Sequence, residues 1–415
     1  MSEAAKSWDT SDLVRRLCHA LDTAQTVLRQ LGENGYPDAS HPGGGIRPEK
    51  IISESALLAL AASKVRKHGK VRENLDALTH ALIPHARSDR MKLRVCLHPS
   101  LALDYGLAHV YLTHVGHPDT GFDQLLRHSM KSHGSNGRER MPHRVLEQQW
   151  TLDLLDNSAT KHSRLKRFAT EASILNQPMD LLNATREDMY AFTHALMYVC
   201  RFGILPLHLP RTRESICMEA EAALARCIDE QDYDLSGELL LSWPLSGNTW
   251  STGAAFGFRV LAWVEDAAGF LPTPATRVDQ ALQLQGRERD DYFLSSAYHA
   301  MYVMGLLCAT ALHTNRAPPK HLPATGVIKG SFDSIFPLFD ADSSHRHWKE
   351  VLKTATDIEQ DALSGFLLHV AIHRAYAKRN FTAMHNLLSQ GSRLGLIDTP
   401  IASQTAEMME RVAAL

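Results

Sequence analysis

The 415-residue chain is short of the features that announce the commoner functional classes. No apolar run approaches the roughly 20 residues a membrane helix needs, and the nearest, Val303–Leu312, is far too short. Cysteine is scarce, at six residues, and none stands in a C-x-x-C pair. Reduced core thiols are therefore expected rather than disulfides or a zinc cluster. Strong charge of either sign is missing as well: the formal net charge is −2 and the pI about 6.9. No field is available to draw in nucleic acid or an anionic membrane. G-x-S-x-G, P-loop and G-x-G-x-x-G patterns are absent, which argues against serine-hydrolase, nucleotide and dinucleotide chemistry. Runs of alternating β-branched residues are absent too. The first residues, MSEAAKSWDTSD, lack the basic-then-apolar plan of a secretory leader, so a cytoplasmic protein is expected.

What remains is an ordinary globular balance, 44% apolar and 22% charged, with an unusual count of 23 histidines. Periodicity predicts helices nearly throughout. They run from the Asp9–Ser11 caps to about Gly32, from Ser53, over Leu75–His85, from Pro99 to Gly116, over Phe122–Met130 and after Pro142. Further helices follow over Arg164–Leu175, Glu214–Asp229, Leu235–Leu241, Ala254–Ala268 and Asp290–His313, with a last group at 346–354, 356–377, 381–391 and 401–413. Loops are expected at 41–45 and 204–210. The pattern predicts an all-α chain, an α/α-toroid or a ring or superhelix of helical hairpins, built as one large domain. N-terminal helices over 1–90, a site-bearing core over 91–313 and C-terminal hairpins over 314–415 are its expected parts.

Two helices carry the functional argument. Over 185–203, Thr185 and Asp188 form a capping-box-like start, and Met189, Phe192, Leu196, Val199 and Gly203 make an apolar stripe. The opposite stripe holds Glu187, Tyr190, His194, Met197, Tyr198 and Arg201, unlike a solvent face rich in Lys and Glu. Over 290–313, Phe293, Ala297, Ala300, Met304, Leu307 and Ala311 oppose Asp291, Ser295, Tyr298, Tyr302 and Gly305, with His299 on the flank. Both helices are expected to turn one face to a shared cavity. The blander alternative is a large helical core in which Tyr and His are satisfied locally.

The segments around His109, Glu147 with Trp150, Tyr190-Ala-Phe-Thr193-His194, Asp234 with Glu238, and Tyr298-His299 together resemble an uncharacterised bacterial family of helical-hairpin proteins with Y-x-x-T-H and Y-H motifs. The likeness covers roughly residues 95–310. Its architecture is similar to that of α/α-toroid enzymes such as terpene and lanthionine cyclases, although neither their D-x-D-D motif nor a Cys-Cys-His zinc set occurs here. The chain shows Arg201-Phe202-Gly203 where the family's acidic-Phe-Gly ending would stand.

The expected catalytic set is His194, His299, Tyr190, Tyr298 and Glu147, with Tyr198, Tyr302, His109, Trp150 and Arg201 binding substrate. No cofactor is expected; a divalent metal at His109, His194 and His299 is the lesser alternative. Asp234 and Glu238 are either acid–base partners or a helix-start carboxylate and a buried bridge to Arg. His369 and His373 have zinc-ligand spacing without the glutamate of H-E-x-x-H, and structural packing is expected of them. The aromatics Trp243, Trp250, Phe256, Phe258 and Trp263 are expected to pack rather than to form a lip around a substrate. Expected partners are a small molecule or a peptide, not nucleic acid or membrane; a homo-oligomer is compatible with the composition. The function expected is tailoring of a small molecule or peptide by histidine acid–base chemistry, of cyclase, lyase or hydrolase type. The competing expectation is a non-catalytic helical scaffold for a peptide or protein, favoured by the tetratricopeptide-like look of residues 367–395.

Overall fold

Cap chemistry sets most of the helix boundaries. The computed structural model of the chain describes residues 8–37, 45–156, 164–203, 209–274, 276, 283–324, 327–338 and 346–415. The expected loops at 41–45 and 204–210 fall mostly outside those residues, as do the side chains of Asp291 and Phe293. In chain order the helices are α1 (Thr10–Arg29), α2 (Pro48–Ser63), α3 (Gly69–Ala86), α4 (Asp89–Leu97), α5 (Ala102–Val115), α6 (Thr120–Met130) and α7 (Pro142–Leu155). Next come α8 (Arg164–Ala172), α9 (Arg186–Val199), α10 (Arg213–Asp229), α11 (Tyr233–Leu240), α12 (Ser242–Ser246), α13 (Thr252–Ala268) and α14 (Gly286–Thr314). The last group is α15 (Ser331–Ile335), α16 (His347–Leu352), α17 (Asp357–Ala362), α18 (Ser364–Ala377), α19 (Phe381–Arg393) and α20 (Pro400–Ala413).

Asp9 caps α1, and the Thr185–Asp188 pair closes a reciprocal capping box on α9. Prolines 48 and 142 occupy the first turns of α2 and α7, where a missing N–H is harmless. For that reason α2 begins earlier than the apolar pattern at Ser53 suggests. The unpredicted α4 starts at a Ser88 cap whose apolar face is thin, Met91 and Val95 alone being buried. A two-residue antiparallel ladder joins Tyr36–Pro37 to Gly45–Ile46. The rest of the described chain is helix and loop in one domain, and no described helix is long and apolar enough to cross a membrane.

The helices pack in a cycle. α2 lies on α5, α5 on α7, α7 on α9, α9 on α11, α11 on α14, and α14 returns to α2. Behind them pack α3 on α2, α4 and α6 on α5, α8 on α7, and α10 and α13 on α11. α1 covers α14 and α3, and α18 lies on α10. Of the N-terminal helices, α2 belongs to this cycle, and α1 and α3 pack on it from outside.

Glycine permits the closest approaches. A Cβ on Gly305 would stand 2.5 Å from the Ala20 methyl and 2.9 Å from Leu58 Cδ1, where α14 meets α1 and α2. Gly305 therefore belongs to the packed side of α14, not to the cavity side that its position on the wheel suggests. Gly305→Val is expected to destabilise by about 1–3 kcal/mol through overpacking, read as a lower midpoint in thermal or denaturant unfolding.

Candidate functional site

The helix cycle surrounds a cavity of about 860 Å³. Its wall is built by pairs of residues a turn apart, since i and i+4 share a helix face: Lys50 with Glu54 on α2, Leu107 with Tyr111 on α5, His143 with Glu147 on α7, Asp234 with Glu238 on α11, and Tyr298 with Tyr302 on α14. α9 contributes Tyr190, His194, Met197 and Tyr198. The stripe of α9 that is wrong for solvent is wrong because it faces this space.

The motif residues engage one another between neighbouring helices of the cavity wall. Tyr190 donates its hydroxyl proton to Asp234 Oδ2 at 2.5 Å, and Thr193 donates to Glu238 Oε2 at 2.5 Å. His194 Nε2 stands 3.5 Å from Glu238 Oε1. The two carboxylates of α11 are thus held by the Y-x-x-T-H segment of α9. From α14, His299 Nδ1 lies 2.5 Å from Asp234 Oδ1, and its Nε2 lies 3.6 Å from Glu54 Oε1. The Tyr298 hydroxyl donates to Glu54 Oε2 at 2.9 Å. Further along α9, toward α7, Tyr198 donates to Glu147 Oε1 at 2.6 Å, and Arg144 donates to Oε2 of the same carboxylate at 2.9 Å. At the N-terminus of α9, Arg186 forks onto Asp232, the N-cap of α11, at 2.5 and 2.9 Å.

These contacts tune the titratable groups. Burial would lower the pKa of His299, but the facing Asp234 and Glu54 carboxylates outweigh it and raise the pKa to about 9. Burial would raise Asp234; the His299 charge and hydrogen bond, with help from Tyr190 and Arg186, hold it well below the usual carboxylate range instead. His143 moves the other way. Burial, then the nearby His194 and Arg144, push it down to about 4. Burial and the adjacent Asp234 keep the Tyr190 hydroxyl protonated.

Seven of the ten expected site residues line the cavity: His194, His299, Tyr190, Tyr298, Glu147, Tyr198 and Tyr302. Three do not. His109 lies on the far side of α5 from Leu107 and Tyr111, stacked on Phe122 at 4.5 Å, with Asp123 2.9 Å from its Nε2 and Arg87 donating to its Nδ1. Trp150 packs behind the wall against Tyr111, Tyr198 and Phe202. Arg201 follows the end of α9 at a positive φ of 47°, which swings it off the helix stripe and onto Asp153 at 2.5 Å. The set His109, His194 and His299 is therefore not brought together, and no three His, Cys, Asp or Glu side chains among the described residues form a metal-holding group.

His369 and His373 lie buried in α18 away from the cavity, and His373 Nε2 is 3.0 Å from the Ala222 carbonyl of α10. Of the aromatic group, Trp243 and Trp250 stack at 5.9 Å and Phe256 meets Phe366 at 5.9 Å, outside the cavity wall.

Sequence reasoning passed over Glu54, Lys50, His143, Arg144 and Arg186, which also line the cavity. The signal for His143 was present: it stands four residues before Glu147 on one helix. Glu54 had none, because it sits one turn after Lys50 and reads as a surface pair.

A family described as a domain of unknown function, DUF6895, matches residues 19–309, and the chain belongs to that family. The matched region runs from within α1 to within α14, the span of the helix cycle; α15–α20 lie beyond it. No curated protein matches the chain, and no solved structure does.

Proposed function

We propose that this protein is a cytoplasmic enzyme that tailors a small molecule or peptide, of cyclase, lyase or hydrolase type. In this reading α2, α5, α7, α9, α11 and α14 are the inner ring of an α/α-toroid. The observation that carries it is the opposed tuning of two imidazoles on one cavity. Groups whose surroundings drive their pKa values apart are suited to be the acid and the base of one reaction. At neutral pH His299 is an imidazolium held by Asp234, and its Nε2–H is the proton to be given. His143, neutral at the same pH, is the group to take one. Asp234 fixes the orientation of His299 through Nδ1, and Tyr190 and Tyr298 fix the two carboxylates that hold it charged. Protonation-driven cyclisation, elimination of water and hydrolysis each need one proton given and one removed. The convergence of titratable groups on one cavity supports an enzyme over the scaffold reading. The C-terminal hairpin, whose sequence favours a scaffold, has its α18 face covered by α10.

The test is to incubate the purified protein with fractionated metabolites and peptides and follow them by mass spectrometry and retention. A product shifted by one water, or an isomer of changed retention, is expected with the wild type and not with Asp234→Asn. Equal conversion by the two proteins would sink the assignment.

A further inference from the structure

We infer that the substrate carries a cationic nitrogen — an amine, guanidinium or quaternary ammonium — and that Glu238 receives it. The inference takes the cavity as the substrate site, as proposed above. Eight carboxylates line the cavity or its mouth, against three Lys or Arg. Most are already answered. Asp234 has His299. Glu147 has Arg144, and Asp232 has Arg186. Glu54 has Lys50 at 3.8 Å beside His299. Glu230 has Arg226.

Glu238 is the deep exception. Its side chain is 2% exposed, and His194 at 3.5 Å is its ion-pair partner among the described residues. Asp234 sits in the first turn of α11, where the helix dipole favours a negative charge; Glu238 lies a turn further on, where that help has faded. A buried carboxylate without a fixed counter-charge is costly to keep, and a ligand that brings the charge removes the cost.

A second, independent feature points the same way. Tyr190 and Tyr198 flank His194 on the α9 wall at ring separations of 5.9 and 6.3 Å, and aromatic faces attract cations. An anionic substrate would meet the excess of carboxylates over Lys and Arg and be repelled.

The experiment is calorimetric and thermal-shift titration of the whole chain with spermidine, agmatine and choline, with succinate as the anionic control, all at one ionic strength. At least one cation is expected to bind and raise the melting temperature, and succinate is not. Glu238→Gln should weaken that binding about tenfold or more, the scale of losing one charge-assisted contact. Glu238→Asp, which keeps the charge, should stay within a few fold of wild type. Should Glu238→Gln not fold, the wild-type order of cation over succinate still decides. The inference is overturned if no cation binds, if succinate stabilises equally, or if Glu238→Gln binds like wild type. Asp234→Asn separates the two ideas. Cation binding retained with no reaction found for any substrate removes the catalytic reading alone, and turnover of an uncharged or anionic substrate removes this one alone.

Discussion

Asp234→Asn is expected to lower turnover by about 10²–10⁴-fold, the usual worth of a positioned acid or base, with the helical circular-dichroism signal unchanged. The variant keeps the shape of the side chain and removes the charge that holds His299 protonated. His299 should then titrate well below its wild-type value of about 9. In the wild type, activity that needs protonated His299 and neutral His143 should hold between about 4 and about 9 and fall outside that window. In the variant the alkaline limb should move toward neutral pH. An alkaline limb that stays put would show that His299 is not the acid.

The same pair links stability to pH. The pKa of His299 is raised from an ordinary 6.5, so its contribution is complete below pH 6.5 and disappears as pH climbs through about 9. Asp234 is depressed from an ordinary 3.8, so its share is present above that value and goes as pH falls through the lower folded value. The wild type should therefore lose on the order of 3 kcal/mol between pH 6.5 and 9.5 that His299→Gln does not lose. Parallel denaturation curves for the two proteins over that range would refute the linkage.

Arg16→Met is expected to destabilise the protein by about 3–5 kcal/mol, enough to threaten folding. The Arg16 side chain is fully buried, at 0% exposure, and its Nη1 lies 2.6 Å from Glu265 Oε2, itself 1% exposed. Its other nitrogens reach Asp266 at 2.7 Å and Asp12 at 3.2 Å, tying α1 to α13. Methionine fills much of the volume but leaves the Glu265 carboxylate with only the partly exposed His19, 2.9 Å away. Adding Glu265→Gln should recover part of the loss, since breaking one side of a buried pair is worse than replacing both. Urea midpoints of the two single variants and the double variant measure this directly. A single-variant change under about 1 kcal/mol would mean that the pair contributes little.

The fold class was legible because amphipathic periodicity is a local property, and most helix positions followed from it; α4, whose apolar face is thin, did not. The candidate site was legible where a helix face carried chemistry unsuited to water: Tyr190, His194, Tyr198, Tyr298 and His299, which line the cavity, stand out for that reason. It was illegible where the cavity borrows residues that look ordinary in water. Glu54 and Lys50 have the spacing of a solvated pair, and only closure of the helix cycle puts them beside Tyr298. Trp150 was misplaced because its stripe is set by α7's own rotation, which turns Glu147 inward and the indole outward. Arg201 was misplaced because α9 stops at Val199, and a backbone turn beyond a helix end breaks the wheel on which the expectation rested.

The contacts of α14 with α1 and α2 have a consequence for how the chain is made. On a ribosome the first helix emerges nearly 300 residues before its main partner, so its apolar face waits through most of synthesis. Pairing between such distant segments is slow, because a long loop must close before the contact forms. The nascent chain is thus a natural client for chaperones, and release truncated before Gly286 should leave α1 and α2 as sticky, unclosed ends.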